Sequence, residues 1–367
     1  LGEAWAFDEI VEECEDLGVY FTWFNHHVEF EDPEASPLEL NRPLQWNMNP
    51  YKITLNLNDQ IEYFTSAEVM TLLKRRYRYM FSRWGYSPNW AAYEFSEVDN
   101  FFGTSDVEGE SNYYDNSDNF VAFHYFFYVI SNYIKQELSY SDKFIVVSFA
   151  NMPSYNLSVA HSSYNPNNIS DLTFIHKYGN LKNENFDSRW DKMTILRLLQ
   201  NKPFQFEEMG IGGPELAIHC CTDIQFHNDI WATSFMGSFG CGMNWWWDRG
   251  IHDFGYYENF KALSQFFSDE DLQGGGYVPG KWSDKNAGTN SASKKRKIEV
   301  FHLISQDQER VLGWVHNAGY FWRNLAGSSN TCLQELVNQN YLNNPCIMED
   351  GYPLGQAIYI SLAILTC

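Results

Sequence analysis

The alternation of short apolar strands with helical segments is the feature that most constrains the fold of this chain. Runs that fit β-strands occur near residues 19–25, 90–94, 144–149, 172–176, 203–207 and 241–247. Strands that alternate with helices at this spacing are typical of βαβ units, which bring the strands into one parallel sheet. The pattern therefore predicts an α/β fold.

Helical periodicity supports this order of elements. Residues 5–17 carry apolar side chains at helical spacing, and Gly18 is expected to end that helix. Thr65-Ser-Ala-Glu68 has the form of a capping box, which predicts the start of a helix whose apolar stripe includes Val69, Leu73 and Trp84. Further helices are expected near 120–138, 190–199 and 224–236.

The composition changes after Leu272. Residues 271–296 are rich in Gly, Ser and Asn, which predicts a linker or long loop. The segments 297–304 and 310–316 read as antiparallel strands of a small β-sandwich. The expected domains are therefore residues 1–270 and 297–367, joined by the linker.

The net charge excludes some partners. A net charge of −22 disfavours phosphate backbones, whose binding sites need clustered Lys and Arg, and the one basic run, 294–297, is interpreted as a solvated strand entry, so we expect no nucleic-acid partner. The sequence has no run of 18 or more apolar residues, so no membrane insertion is expected. The 13 Trp and 23 Tyr fit a carbohydrate binder, because aromatic rings stack on sugars, and they equally fit an aromatic-rich core.

The seven cysteines show no metal-binding pattern. There is no CxxC pair and no His at ligand spacing, so neither a metal nor a cofactor is expected. Cys332 and Cys346 could close a disulfide, and Asn156-Leu-Ser and Asn168-Ile-Ser are glycosylation-type triplets. These features favour a secreted or cell-surface protein.

Two glutamates follow predicted strands. Glu97 comes after the strand at 90–94, and Glu208 after the one at 203–207. Barrel enzymes build their active sites at the carboxyl ends of strands, and glycosidic bond cleavage needs two carboxyl groups. The spacing alone leaves surface or structural ion pairs open, because the chain has 47 acidic residues. Glu94 is expected to point into the interior as a structural polar group.

Several sequence segments resemble clan A glycoside hydrolases, particularly the cellulase- and mannanase-like enzymes of family five. The segment 75–99 (RRYRYMFSRWGYSPNWAAYEFSEVD) resembles their acid/base region, and 202–210 (KPFQFEEMG) is similar to their seventh strand. Residues 227–232 and 244–249 are similar to the helix and the eighth strand that follow. The resemblance runs from residue 1 to about 267, and the tail resembles an accessory β-sandwich.

This resemblance implies a (β/α)8 barrel and a retaining hydrolase of β-linked gluco- or manno-configured glycans, oligo- or polysaccharides. It assigns Glu97 as the acid/base and Glu208, rather than Glu207, as the nucleophile. Ser96 stands where the family has an Asn that binds the 2-hydroxyl of the sugar. The hydroxyl of Ser is shorter and offers one donor where an amide offers two, so activity could be reduced, shifted in specificity or lost.

The resemblance also implies substrate contacts. They are His26 at the end of the first predicted strand here, His176 and Tyr178 at the end of the fourth, and Trp246 within the run 245–247. A structural role for His26 and a core role for Trp246 stay open alternatives, because neighbouring residues of a strand point to opposite faces.

The start of the chain matches the second helix of the family barrel. The resemblance therefore implies that the first two strands precede Leu1 or come from a partner segment of a larger extracellular protein. A second hypothesis is a catalytically weak or inactive relative that serves as a carbohydrate-binding or structural component of an extracellular assembly. Ser96, the Asn-rich insertions and the late start motivate it.

Overall fold

The computed structural model describes residues 2–25, 46, 49–95, 117–149, 170–178, 190, 203–210, 222–244, 247–283 and 298–317. The chain divides into two compact units. The first unit comprises Leu1–His176 and Leu196–Phe204, and the second comprises Lys177–Ile195 and Gln205–Cys367.

The first unit alternates helices with parallel strands. Its elements are α1 (Gly2–Leu17), β1 (Phe21–Asn25), α2 (Pro50–Leu55), α3 (Gln60–Thr65), α4 (Ala67–Trp84), β2 (Trp90–Phe95), α5 (Ser117–Asn132), a π-helical turn (Tyr133–Glu137), β3 (Phe144–Phe149) and β4 (Thr173–Tyr178). Strands β1 to β3 pair in parallel with their successors. Strand β5 (Phe204–Gly210) is the fifth strand of the sheet, whose order is β1-β2-β3-β4-β5. The predicted strands at these five places are confirmed: the ends of β3 match the prediction, and the ends of the others shift by at most three residues.

The start of α4 differs slightly from the sequence prediction. The N-cap is Ser66, whose hydroxyl accepts a hydrogen bond from the backbone N–H of Val69, 3.3 Å away. Thr65 instead closes α3, where its hydroxyl donates to the carbonyl of Ile61. Helix α3 therefore ends directly before α4 begins. Ser66 provides the N-cap because its hydroxyl is within reach of a free backbone N–H of α4.

A partly buried ion pair connects the π-helical turn to the sheet. Lys135 pairs with Asp171, and an oxygen of Asp171 accepts the backbone N–H of Ile145, at 2.7 Å. Asp171 also donates its own backbone N–H to the carbonyl of Ile145. These bonds tie the entry of β4 to β3, so they help to set the relative position of the two strands.

The second unit continues with β5, α6 (Thr222–Phe235), a second π-helical segment (Trp247–His252) and α7 (Tyr257–Phe267). The predicted strand at 241–247 is wrong in extent. Asn244 makes a single parallel bridge with Met209, and π-helical structure begins at Trp247. The N–H of Gly242 donates to the hydroxyl of Thr233 on α6, at 2.7 Å. Because a side chain uses this N–H, it does not pair with a neighbouring strand.

A three-stranded antiparallel sheet completes the described part of the second unit. Its strands are β6 (Val278–Ser283), β7 (Ile298–Ile304) and β8 (Val311–Asn317), in that order. The antiparallel pairing predicted for the last two is confirmed. Strand β6 lies within the stretch expected to be a linker. The full β-sandwich and the domain boundaries stay predictions.

The buried side of this sheet faces α6. Phe301, Leu303 and Trp314 are buried there, and the ring of His227 on α6 lies 6.3 Å from that of Trp314. Among the described residues, no helix has the length and apolar character needed to cross a bilayer.

Candidate active site on the parallel sheet

Strands β2, β3 and β4 share a buried face that we call the inner face, defined by Ala92, Val146, Leu172 and Phe174. These four side chains form one apolar cluster. The register pairs Glu94 with Val146 and Ser148 with Phe174. Because alternate residues of a strand point to the same side, Glu94, Ser148 and His176 also belong to the inner face.

The opposite face of the sheet packs against helices. Tyr93 contacts Tyr77 of α4 with ring centroids 5.3 Å apart, and Phe95 contacts Phe127 of α5 at 5.1 Å. The hydroxyl of Tyr93 donates to that of Tyr77, and burial raises the pKa of the Tyr77 phenol. These contacts attach one face of β2 to the helices, so the alternate side chains of the strand point to the inner face.

A β-bulge at the start of β2 places Trp90 and Glu94 on opposite faces of the sheet. Phe21 pairs with Trp90, but the next residue of β1, Thr22, pairs with Ala92, so Ala91 is an extra residue. The Trp90 ring consequently lies on the helix side, 4.5 Å from Phe81. Without the bulge, strict alternation would place Trp90 on the same face as Glu94.

The inner face becomes polar toward the carboxyl ends of the strands. Glu94 and His176 are each 1% exposed, and Ser148 is fully buried. A carboxylate oxygen of Glu94 and a ring nitrogen of His176 lie within 4.8 Å of each other. Both residues make further interactions, as buried ionisable groups must. The inner face therefore brings a carboxyl group and an imidazole near each other in a buried environment.

The structure places two of the predicted site residues on β4. The predicted strand ended at His176, but β4 continues to Tyr178, so His176 lies inside the strand and is buried. Only the backbone of Tyr178 is described, as the last residue of β4. The predicted residues Glu97, Ser96, His26 and Trp246 lie outside the described residues.

Glu208 lies within β5, whereas the predicted strand ended at residue 207, one residue before it. Met209 and Gly210 follow it in the strand, and both Glu207 and Glu208 are partly exposed. The N–H of Met209 donates to the carbonyl of Met243, at 2.7 Å. This bond holds the backbone next to Glu208 against the segment 241–244.

Two polar residues of the inner face were not among the predicted site residues. Glu94 was expected to be an interior structural group, and its burial agrees with an interior position. For Ser148, the sequence pattern predicts only a place in an apolar strand. The signal that could have identified both is a polar residue within an otherwise apolar strand, in WAAYEF and FIVVSF.

No protein-family model and no curated protein sequence matches this chain. Among solved structures, it is similar to a fungal β-1,4-galactanase with 13% identity, over 50% of this chain and 60% of that chain, at a TM-score of 0.36. It is also similar to Bacteroides uniformis β-glucuronidase 2 covalently bound to cyclophellitol-6-carboxylate aziridine, with 12% identity over 69% of this chain and 37% of that chain, at a TM-score of 0.42.

Another structure of a Bacteroides uniformis β-glucuronidase has 12% identity, with the same shares of both chains covered and a TM-score of 0.41. The chain thus spans less than two thirds of the length of each of these proteins.

Proposed function

We propose that this chain is a retaining glycoside hydrolase with a (β/α)8-type barrel, acting on β-linked gluco- or manno-configured glycans outside the cell or at its surface. The observation that carries the proposal is the polar end of the inner face, formed by Glu94, Ser148 and His176. Barrel enzymes place their catalytic groups at the carboxyl ends of parallel strands. Strand β2 ends at Phe95, so Glu97 follows the strand in the position that the sequence resemblance assigns to the acid/base.

In the proposed reaction, Glu208 attacks the anomeric carbon and forms a covalent glycosyl-enzyme while Glu97 protonates the departing oxygen. Glu97 then takes a proton from the water that attacks the same carbon, which restores both carboxyl groups and retains the configuration. This chemistry requires carboxyl groups about 5–5.5 Å apart. It also requires Glu97 to hold a proton before the first step, which a buried site or the charge of a second carboxylate favours.

His176 and Tyr178 are proposed to contact the sugar, together with His26, Ser96 and Trp246. A carboxylate oxygen of Glu94 lies within 4.8 Å of a ring nitrogen of His176, which supports a defined role for the histidine, because a nearby carboxylate favours one orientation of the imidazole. A neutral imidazole has one donor and one acceptor, so His176 can hydrogen-bond a sugar hydroxyl. Glu94 acts in this proposal through His176 and is a positioning residue.

Glu309 offers a control for Glu208, because it is a solvent-exposed glutamate in the turn between β7 and β8. We expect Glu208→Gln and Glu97→Gln to abolish release of reducing sugar from β-1,4-linked gluco- and manno-oligosaccharides, and Glu309→Gln to retain it. A 2-deoxy-2-fluoroglycosyl fluoride should label the peptide that contains Glu208, as measured by mass spectrometry. Ordinary turnover by Glu208→Gln would refute the assignment.

The alternative is a carbohydrate-binding or structural protein of an extracellular assembly that has weak or no activity. Ser96 favours it, because the family Asn at this position binds the 2-hydroxyl, a contact that strengthens in the transition state. Binding of the same oligosaccharides without release of reducing sugar would support this function. Recovery of hydrolysis in Ser96→Asn would identify the serine as the cause.

A further inference from the structure

One face of the three-stranded sheet β6-β7-β8 is partly exposed among the described residues and carries a solvent-exposed indole. We call it the open face. The sheet pairing places its central residues in two neighbouring rows. The rows are Trp282, Val300 and Val315, and Gly280, His302 and Gly313. Trp282 is 54% exposed, although the sheet is well paired and its opposite face is buried.

The glycines shape the surface beside this indole. A Cβ at position 280 would overlap the imidazole of His302, so the ring of His302 leans over Gly280 on β6. Gly280 is two residues from Trp282 on the same strand, about 7 Å away. The imidazole and the indole are therefore neighbours on one face. On the other side of His302, a Cβ at Gly313 would find its nearest neighbour at 3.8 Å, so the surface there is shallow.

The open face has no net charge, in contrast to the chain as a whole. Its two central rows contain no acidic or basic residue apart from His302, whereas the chain carries a net charge of −22. Burial lowers the pKa of His302, so its ring is neutral at neutral pH and has one donor and one acceptor. These properties match a neutral ligand that has an apolar side and hydroxyl groups.

The size of the open face also limits the occupant. Strands of 6 or 7 residues rise about 3.3 Å per residue and lie about 4.8 Å apart, so the face measures about 20 by 10–15 Å. That is on the order of 300 Å², well below the ~800 Å² per partner of a stable protein interface. An area of this size is large enough to bind a few sugar rings.

We propose that the open face is a second carbohydrate-binding surface, on which a pyranose ring of a neutral glycan stacks on Trp282 while His302 hydrogen-bonds a hydroxyl. An indole provides a large rigid apolar surface for such stacking. The surface adds binding to the hydrolase proposed above and does not depend on hydrolysis.

Native gel electrophoresis through hydroxyethyl cellulose or galactomannan tests the proposal with the full chain. The wild type should be retarded by at least one of the two polymers, and Trp282→Ala should weaken the apparent affinity about tenfold. Trp282→Phe should restore most of it, and His302→Ala should weaken it severalfold. Trp5→Ala is the matched control, since Trp5 is a 64% exposed tryptophan of α1 in the first unit.

The outcomes separate this surface from the catalytic site. Glu208→Gln should be retarded like the wild type, and Trp282→Ala should cleave short oligosaccharides at the wild-type rate. Retardation that is lost in Glu208→Gln but kept in Trp282→Ala would overturn the proposal and leave the hydrolase intact. Absence of retardation by both polymers would also overturn it, as would a change of oligomeric state in Trp282→Ala, measured by light scattering.

Discussion

Glu299 and His316 are directly paired across β7 and β8, with a carboxylate oxygen 3.0 Å from Nδ1 of the imidazole. Both side chains are almost fully buried, at 4% and 5% exposure. The His316 ring also stacks on Trp314, with centroids 4.9 Å apart. An acceptor and an aromatic surface thus fix the imidazole on the buried side of the small sheet.

We expect Glu299→Gln to lower the free energy of unfolding by about 2 kcal/mol, because a charged hydrogen-bond acceptor in the core is replaced by a neutral one. Urea denaturation monitored by tryptophan fluorescence measures this change. Glu309→Gln is the control, since Glu309 lies exposed in the turn between β7 and β8, and it should stay within about 0.5 kcal/mol of the wild type. Equal stability of the two variants would mean that the buried pair contributes nothing.

The partly buried His227 should make the folded state less stable in mild acid. Burial lowers its pKa, with the nearby His316 adding to the effect and the hydrogen bond to Asn228 opposing it. The unfolded chain binds a proton near the ordinary pKa of about 6.5, while the folded chain resists it until a lower pH. Stability is therefore complete above that value and is lost as the pH falls toward the lowered pKa.

Urea midpoints at pH 7.5 and pH 5.5 test this expectation. His227→Gln should show a smaller drop between the two pH values than the wild type. His252→Gln replaces an exposed histidine of the same unit and should keep the wild-type drop. An unchanged drop in His227→Gln would show that other groups cause the acid sensitivity.

The carboxylate of Asp8 connects α1 to the end of α4. Asp8 accepts hydrogen bonds from the guanidinium of Arg83, at 2.8 and 2.5 Å, and from the indole of Trp84, at 2.8 Å. The bond from Arg83 lowers the pKa of the Asp8 carboxyl. In Asp8→Asn we expect the amides of α1 to exchange with deuterium about tenfold faster, because local opening becomes easier. Glu9→Gln, on the exposed side of the same helix, should leave exchange unchanged, and equal rates in both variants would contradict the prediction.

Gly242 should tolerate no side chain. A Cβ there would overlap the sulfur of the buried Met209 and lie 3.2 Å from the hydroxyl of Thr233. We expect Gly242→Ala to destabilise the protein by about 1–3 kcal/mol through overpacking, read as a lower thermal midpoint. Gly313→Ala is the comparison, because its Cβ would meet only an ordinary contact at 3.8 Å. A midpoint for Gly242→Ala as high as that for Gly313→Ala would mean that Met209 adapts without cost.

The strands were predictable where local pattern is enough. The largely apolar run Phe144–Phe149 predicts a buried strand, and it forms β3. Strand β6 was missed because Pro279 and Gly280 signal a turn, yet the segment pairs with β7 along its whole length. The strand expected at 241–247 was cut short, since its Gly242 N–H bonds to a side chain of α6. Both errors come from partners that are distant in the sequence.

The sequence by itself determined the approximate places of α1, α4 and strands β1 to β5, because caps, turns and hydrophobic periodicity act within a few residues. It also marked Glu94 and His176 as polar residues in or beside apolar strands. Only the tertiary structure decided that these two side chains lie within 4.8 Å of each other. Their meeting depends on the registers of β2, β3 and β4. A shift of one residue in any of these would turn a side chain to the other face, and no local pattern encodes that choice.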